Sequence, residues 1–236
     1  MKLSRLTFVA AVVAAVLLFV SGSGTRFGLW AFPVGFRVLK WAAYLGLAAA
    51  VVSLVGLVVP KLRAGQGGRL VVSLALGLGV AAVPGYWIAT ASKLPPIHDI
   101  STDLDDPPAF VAVLPARGPE SNPVEYGGAA VADAQRAAYP DIQPLVLGLP
   151  PADAFALALR EARATGWEIV AQDPAAGRIE ATATTLWFGF RDDIVVRIRP
   201  ADGGSRIDVR SLSRVGVGDV GANAKRIRAY LGRIAG

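Results

Sequence analysis

Leu70-Val71-Val72-Ser73-Leu74-Ala75-Leu76-Gly77-Leu78-Gly79-Val80-Ala81-Ala82-Val83-Pro84-Gly85-Tyr86-Trp87-Ile88-Ala89 is a run of twenty residues without one charged side chain. A helix crossing a hydrocarbon core of about 30 Å needs about 20 such residues, so this run predicts a membrane-spanning helix. Two similar runs precede it. Val38–Val59 carries a single charge, Lys40, near its start, where a long side chain can reach the interface. Leu6–Val20 follows Lys2 and Arg5 and reaches spanning length by including the small residues up to Gly24. It also fits the apolar part of a secretory signal, but no clear Ala-x-Ala site follows, which favours an uncleaved helix. Three membrane helices are therefore expected at about 6–24, 38–59 and 70–89. Gly46 with Ala50, and Gly77 with Gly79, offer small surfaces for helix packing.

Charge divides the chain in the same place. Residues 1–92 hold eight Lys and Arg and no Asp or Glu; all eighteen acids lie beyond. The formal +6 is +8 from the first part and −2 from the second. A nucleic-acid binder concentrates positive charge on its soluble surface, and here the soluble part is slightly acidic, which excludes nucleic acid as the expected partner. The excess flanks apolar runs, where it directs insertion. Lys61, Arg63 and Arg69 in one short loop, with Lys2 and Arg5, place those ends in the cytoplasm, and residues 93–236 on the outer side of a cytoplasmic membrane. Aromatics at Phe27, Trp30, Phe32 and Phe36, then Trp41 and Tyr44, and Tyr86 and Trp87, read as interfacial belts.

Residues 93–149 read as a proline-rich connector. Its apolar positions, among them Phe110, Val113 and Tyr126, predict that part of it lies against the domain that follows, with a short helix over 129–139. From 150 to 236 the signals are ordinary. A helix with Phe155, Ala158, Leu159 and Ala162 on one face ends at Gly166. Strands follow at 167–173, 179–185, 194–199 and 206–210, alternating in period two, which predicts an antiparallel meander with one wet face. A last helix starts at Asp219 as its N-cap. The expected fold class is three transmembrane helices plus a soluble α+β domain: helix, four-stranded antiparallel sheet, helix.

The stretches Ile97-His98-Asp99-Ile100-Ser101-Thr102-Asp103, Pro107-Pro108-Ala109-Phe110 and Tyr139-Pro140-Asp141-Ile142, and above all Arg210-Ser211-Leu212-Ser213-Arg214-Val215-Gly216-Val217-Gly218-Asp219-Val220-Gly221-Ala222-Asn223, resemble the family known as domain of unknown function 1499. The resemblance spans about residues 97–234. It implies a membrane protein of bacterial envelopes or organelles, and it implies no reaction.

The candidate ligand-binding residues are Arg210, Arg214, Asp219, Asn223 and Arg226. Two arginines between a strand and a helix N-terminus suit a phosphate or carboxylate. In the structural alternative, which carries more weight, Asp219 caps the last helix and pairs with Arg214, and a buried Asn223 ties down loop backbone. Arg197, Arg199 and Arg206 on the polar sheet face form either a solvated face of cross-strand ion pairs or a groove for anionic headgroups or polymer. Leu186-Trp187-Phe188-Gly189-Phe190 puts aromatics on both faces of a strand, as core, pocket rim or bilayer contact. Asp192 and Asp193, adjacent on a strand, should point to opposite faces. With no Cys and one His, thiol chemistry and a multi-histidine metal site are excluded. His98 and Asp99, Asp103, Asp105 and Asp106 lack the spacing of a calcium loop and read as a capped turn. No cofactor motif occurs.

These readings point to a non-enzymatic envelope protein. Its partners are membrane lipids and another envelope protein or an anionic polymer. The alternatives are a lipid or small-molecule binder using the 186–190 aromatics, and a hydrolase using Asp219 with Arg210 and Arg214.

Overall fold

The computed structural model describes residues 2–236, which group into two compact units: the chain up to Ser92 together with Leu186–Gly189, and Lys93–Thr185 together with Phe190–Gly236.

The first unit holds α1 (Leu3–Arg26), α2 (Phe32–Val58), the single turn α3 (Pro60–Arg63) and α4 (Gly67–Ala91). The three long helices have the length and apolarity to cross a membrane. Their packing is the reverse of a soluble bundle. Ala11, Ala14, Ala42, Gly46, Ala50, Ser73 and Gly77 are buried, whereas Leu6, Val16, Phe19, Leu54, Val55 and Val71 are exposed. Lipid tails solvate leucine as well as a protein interior does, so close approach between small residues is what holds such helices together. The seam is tightest where α2 meets α4: a Cβ placed on Gly77 would lie 2.3 Å from the Gly46 carbonyl oxygen. Gly79, expected to share this surface, has open space where a Cβ would go.

The helices overrun their expected ends. Pro33 lies in the first turn of α2, where its missing N–H breaks no intrahelical bond. Half of the aromatic belt between the first two expected spans is consequently helix. Pro84 lies within α4, which runs on to Ala91. Leu186–Gly189 contributes Trp187, whose Nε1 donates to the Phe19 carbonyl at 3.2 Å, and Phe188, whose ring centroid is 5.1 Å from that of Phe36.

The second unit is a sheet with three helices. β3 (Glu168–Asp173), β4 (Arg178–Thr184), β5 (Arg191–Ala201) and β6 (Gly204–Ser213) form the expected antiparallel meander. The sheet nevertheless has six strands, not four. β1 (Asp99–Ser101) and β2 (Leu145–Leu147), both from the connector, pair antiparallel with successive lengths of β6. Three residues are too few to display a period-two pattern. These strands exist because the free edge of β6 has peptide groups to satisfy.

One sheet face carries Ile179, Ala181, Ile194, Val196, Ile198, Ile207 and Val209. They are packed under α6 (Pro151–Ala164) and α7 (Ala222–Ala235) with Phe155, Ala158, Ile227 and Tyr230. α5 (Gly128–Ala138) packs against the same core through Val131 and Ala134. The other face corrects the sequence reading, because it is not wet. Phe110, Val113 and Val124 of the connector pack on Val195 and Leu212, and Glu180, Asp193 and Asp208 beneath are fully buried. Carboxylates can be covered in this way only when charge partners and hydrogen bonds come with them, and these do.

Candidate functional site

The five residues singled out above divide between the two faces of the sheet. Arg210 and Arg214 belong to the connector-covered face. Arg210 is 3% exposed and grips Asp99 with both ends of its guanidinium, Nε to Oδ1 at 2.9 Å and Nη2 to Oδ2 at 2.7 Å. It also donates to the carbonyls of Pro108 and Val124. Its Cζ lies 5.0 Å from the Phe110 ring centroid and 5.5 Å from that of Tyr126. Arg214 does not pair with Asp219. It holds the buried Asp193, Nη2 to Oδ1 at 2.8 Å, and the carbonyl of Ala116. Asp193 also receives Thr182 Oγ1 and the guanidinium of Arg117. Asp192 points to the opposite face and meets Arg226.

Asp219, Asn223 and Arg226 form the second group, at the start of α7. The helix begins at Ala222, with Gly221 at the cap position in the left-handed conformation, φ 78°. Asp219 stands two residues upstream of that cap, and its carboxylate accepts the amides of Gly221 at 2.8 Å and Asn223 at 2.7 Å. Burial, and then the nearby Asp192 charge, raise its pKa, partly offset by those two amides. Asn223 is fully buried. Its amide donates to the His98 carbonyl and Ser213 Oγ, and its oxygen accepts from Ser211 Oγ and Arg226. This knot ties β6, the residue before β1 and α7 together. Asp219 therefore shares no partner with Arg210 or Arg214, and the three do not converge on one point.

Three further arginines of the connector-covered face are likewise paired with carboxylates. Arg197, Arg199 and Arg206 all reach both Asp103 and Asp208, and Arg197 and Arg199 also take Asp106. Asp103 anchors its own turn by accepting the amides of Asp105 and Asp106. Burial pushes its pKa up, but the Asp106 amide and the Arg206 charge pull it further down, so the net shift is downward. Glu180 accepts the successive amides of Val111, Ala112 and Val113 at 2.8–3.1 Å and pairs with Arg178. Three adjacent amides form an anion nest, and here the chain's own carboxylate fills it.

This face has a shallow concavity of about 280 Å³, lined by Pro107, Ala109, Phe110, Val124, Glu125, Tyr126 and Arg210. The Tyr126 hydroxyl is buried without a hydrogen-bond partner. Burial, reinforced by the Asp99 charge, pushes its pKa up to about 12, so it is a neutral donor and acceptor at physiological pH. Of the five N–H groups of Arg210, one Nη1 hydrogen is left after its bonds to Asp99, Pro108 and Val124. The sequence reading missed Asp99, Glu180 and Tyr126. The signal for the first two was the surplus of alternating Arg and carboxylate on strands whose connector carries Phe110 and Val113.

Leu186–Gly189 lies with the apolar helices, and the space between the sheet, α6 and α7 is filled by side chains. Among the described residues no cluster of His, Asp and Glu could hold a metal ion.

No curated protein matches the chain. Residues 99–234, which hold the six-stranded sheet with α5 to α7 and both arginine groups, match the family described as Protein of unknown function (DUF1499), and the chain belongs to that family.

Proposed function

We propose that this is a membrane-anchored binding module without a catalytic role, its sheet domain held at the outer face of a cytoplasmic membrane to engage a glycan-bearing envelope polymer. The observation that carries this reading is the Phe110–Tyr126 concavity. Apolar walls suit the face of a sugar ring, while the unpartnered Tyr126 hydroxyl, the Glu125 carboxylate and the last Arg210 N–H suit its hydroxyls. Arg197, Arg199, Arg206, Arg210 and Arg214 weigh against an anionic ligand on this sheet face, because carboxylates within the domain already pair with them. The dispersal of Asp219, Arg210 and Arg214 weighs against the hydrolase reading.

The test is binding of full-length protein in neutral detergent to soluble glycan fragments of the cell wall, followed by calorimetry. Tyr126→Phe should weaken binding about tenfold, the loss of one buried hydrogen bond, and leave the melting temperature unchanged, since the hydroxyl has no partner in the fold. Lys225→Gln, on the exposed face of α7, should leave binding as it was. Binding insensitive to Tyr126→Phe, or no binding of any glycan fragment, rejects the site. Sidedness is checked separately by alkaline phosphatase fused after Gly236, which is active only if exported.

A further inference from the structure

The cation-rich end of the apolar helices contains a second concavity. α1 and α4, of 24 and 25 residues, both start at this end; neither is capped by the side chain of its own N-cap residue, and neither has an acidic residue in its first turn. The two starts are joined: the Ser4 amide donates to Gln66 Oε1 at 3.2 Å, and one turn further in Thr7 Oγ1 donates to Ser73 Oγ at 3.4 Å. Between them lies a polar cup of about 260 Å³ walled by Lys2, Ser4, Arg5, Gln66 and Arg69, with two glycines.

Three features of this cup favour a bound anion. Each helix N-terminus carries roughly +0.5 of an elementary charge and favours negative groups. The chain instead adds three cations there, and residues 1–92 contain no Asp or Glu to offset them. The first-turn amides of Gly67, Gly68 and Arg69 have no intrahelical acceptor by helix geometry. Ser4, 1% exposed and part of the cup wall, has a hydroxyl with no hydrogen-bond partner. Insertion bias accounts for basic residues near this membrane end. It does not account for their convergence with two helix starts that have no acidic residue in the first turn and with a buried, unused hydroxyl.

We infer that this cup binds a phosphate group, with Arg5, Arg69 and Lys2 supplying charge, and Ser4 and the α4 amides supplying hydrogen bonds. The cup lies where Leu6 and Val71 begin the exposed apolar surface, at the level of lipid headgroups, which makes a phospholipid one source and free phosphate the other. The inference is independent of the glycan reading.

The experiment is native mass spectrometry of the full-length protein in neutral detergent with phosphatidic acid or phosphatidylcholine, beside equilibrium dialysis with radiolabelled orthophosphate. Retention of phosphatidic acid at least tenfold above phosphatidylcholine assigns the cup to anionic lipid. Binding of orthophosphate that phosphatidic acid does not displace assigns it to a soluble anion. In either case Arg5→Gln with Arg69→Gln should abolish binding and Ser4→Ala should weaken it about tenfold, whereas Lys40→Gln at the other end of α2 should have no effect. Helicity by circular dichroism shows that the variants are folded. Neither ligand bound, or binding unchanged in folded Ser4→Ala and in folded Arg5→Gln/Arg69→Gln, overturns the inference.

Discussion

Arg210 and Asp99 face each other as a two-pronged pair, 2.7 and 2.9 Å apart at its two contacts, on neighbouring strands β6 and β1 with both side chains less than 7% exposed. A charge buried this deeply is tolerated only with its partner. Removing one member leaves the other desolvated and unpaired, at a cost of about 3–5 kcal/mol. Asp99→Ala and Arg210→Ala in full-length protein should each lower the urea midpoint by that equivalent. The double substitution Asp99→Leu/Arg210→Met should recover most of the loss. Arg210→Lys should not rescue, since one ammonium cannot serve two carboxylate oxygens, two carbonyls and two ring faces. Single variants as stable as wild type would show that the pair is solvated in solution.

Glu180 pins the connector to the sheet through three backbone amides. Glu180→Ala removes those acceptors and leaves three amides and Arg178 to find water. The cost is about 3 kcal/mol, and it is paid locally, where the connector can lift away. Limited proteolysis should then cut between residues 106 and 126 in the variant under conditions that leave wild type intact. Equal resistance in the two proteins would mean that Phe110 and Val113 hold the segment without the carboxylate.

Asp219 and Asp103 give opposite pH dependences. The folded pKa of Asp219 is raised above the ordinary 3.8, so the folded state binds the proton more tightly. Its contribution is full below about 3.8 and is lost as pH rises through the raised value. Asp103 has a lowered pKa; its contribution is present above 3.8 and is lost as pH falls through the lowered value. Melting temperature against pH, compared for wild type, Asp219→Asn and Asp103→Asn, should show the first variant losing the decline above pH 4 and the second losing the acid-side decline. Asp219→Ala, which loses both cap bonds, should cost about 1 kcal/mol near neutral pH.

The seam between α2 and α4 has no room for a side chain at Gly77, where a Cβ meets the Gly46 carbonyl at 2.3 Å. Gly77→Leu must push the helices apart and should lower the thermal midpoint of the first unit by several degrees. Gly79→Leu, facing open space, should not. Tryptophan fluorescence in detergent would follow both, and equal effects would contradict the tight approach.

Much of this molecule was legible in residue order. The three apolar runs, the absence of acids before residue 93, the helix ending at Gly166, the meander and the helix after Asp219 follow from periodicity, charge and turn chemistry, all of which act over a few residues. Phe110, Val113 and Tyr126 announced that the connector would not hang free. The helix starts at Leu3 and Phe32 were less legible, since an aromatic or polar flank can be helix or linker without changing the apolar count.

Tertiary structure alone decided which charges meet. Arg210 finds Asp99 across 111 positions, Arg214 finds Asp193 across 21, and Glu180 finds the Val113 amide across 67. Spacing marks each as a polar residue on one strand face, a face that solvent or protein can cover equally well. Once the connector folds over it, water leaves, and each carboxylate must be matched by guanidinium or amide. Order along the chain fixes which side chains share a face; only packing sets the dielectric around them, and with it whether an arginine is a free ligand or half of a buried pair.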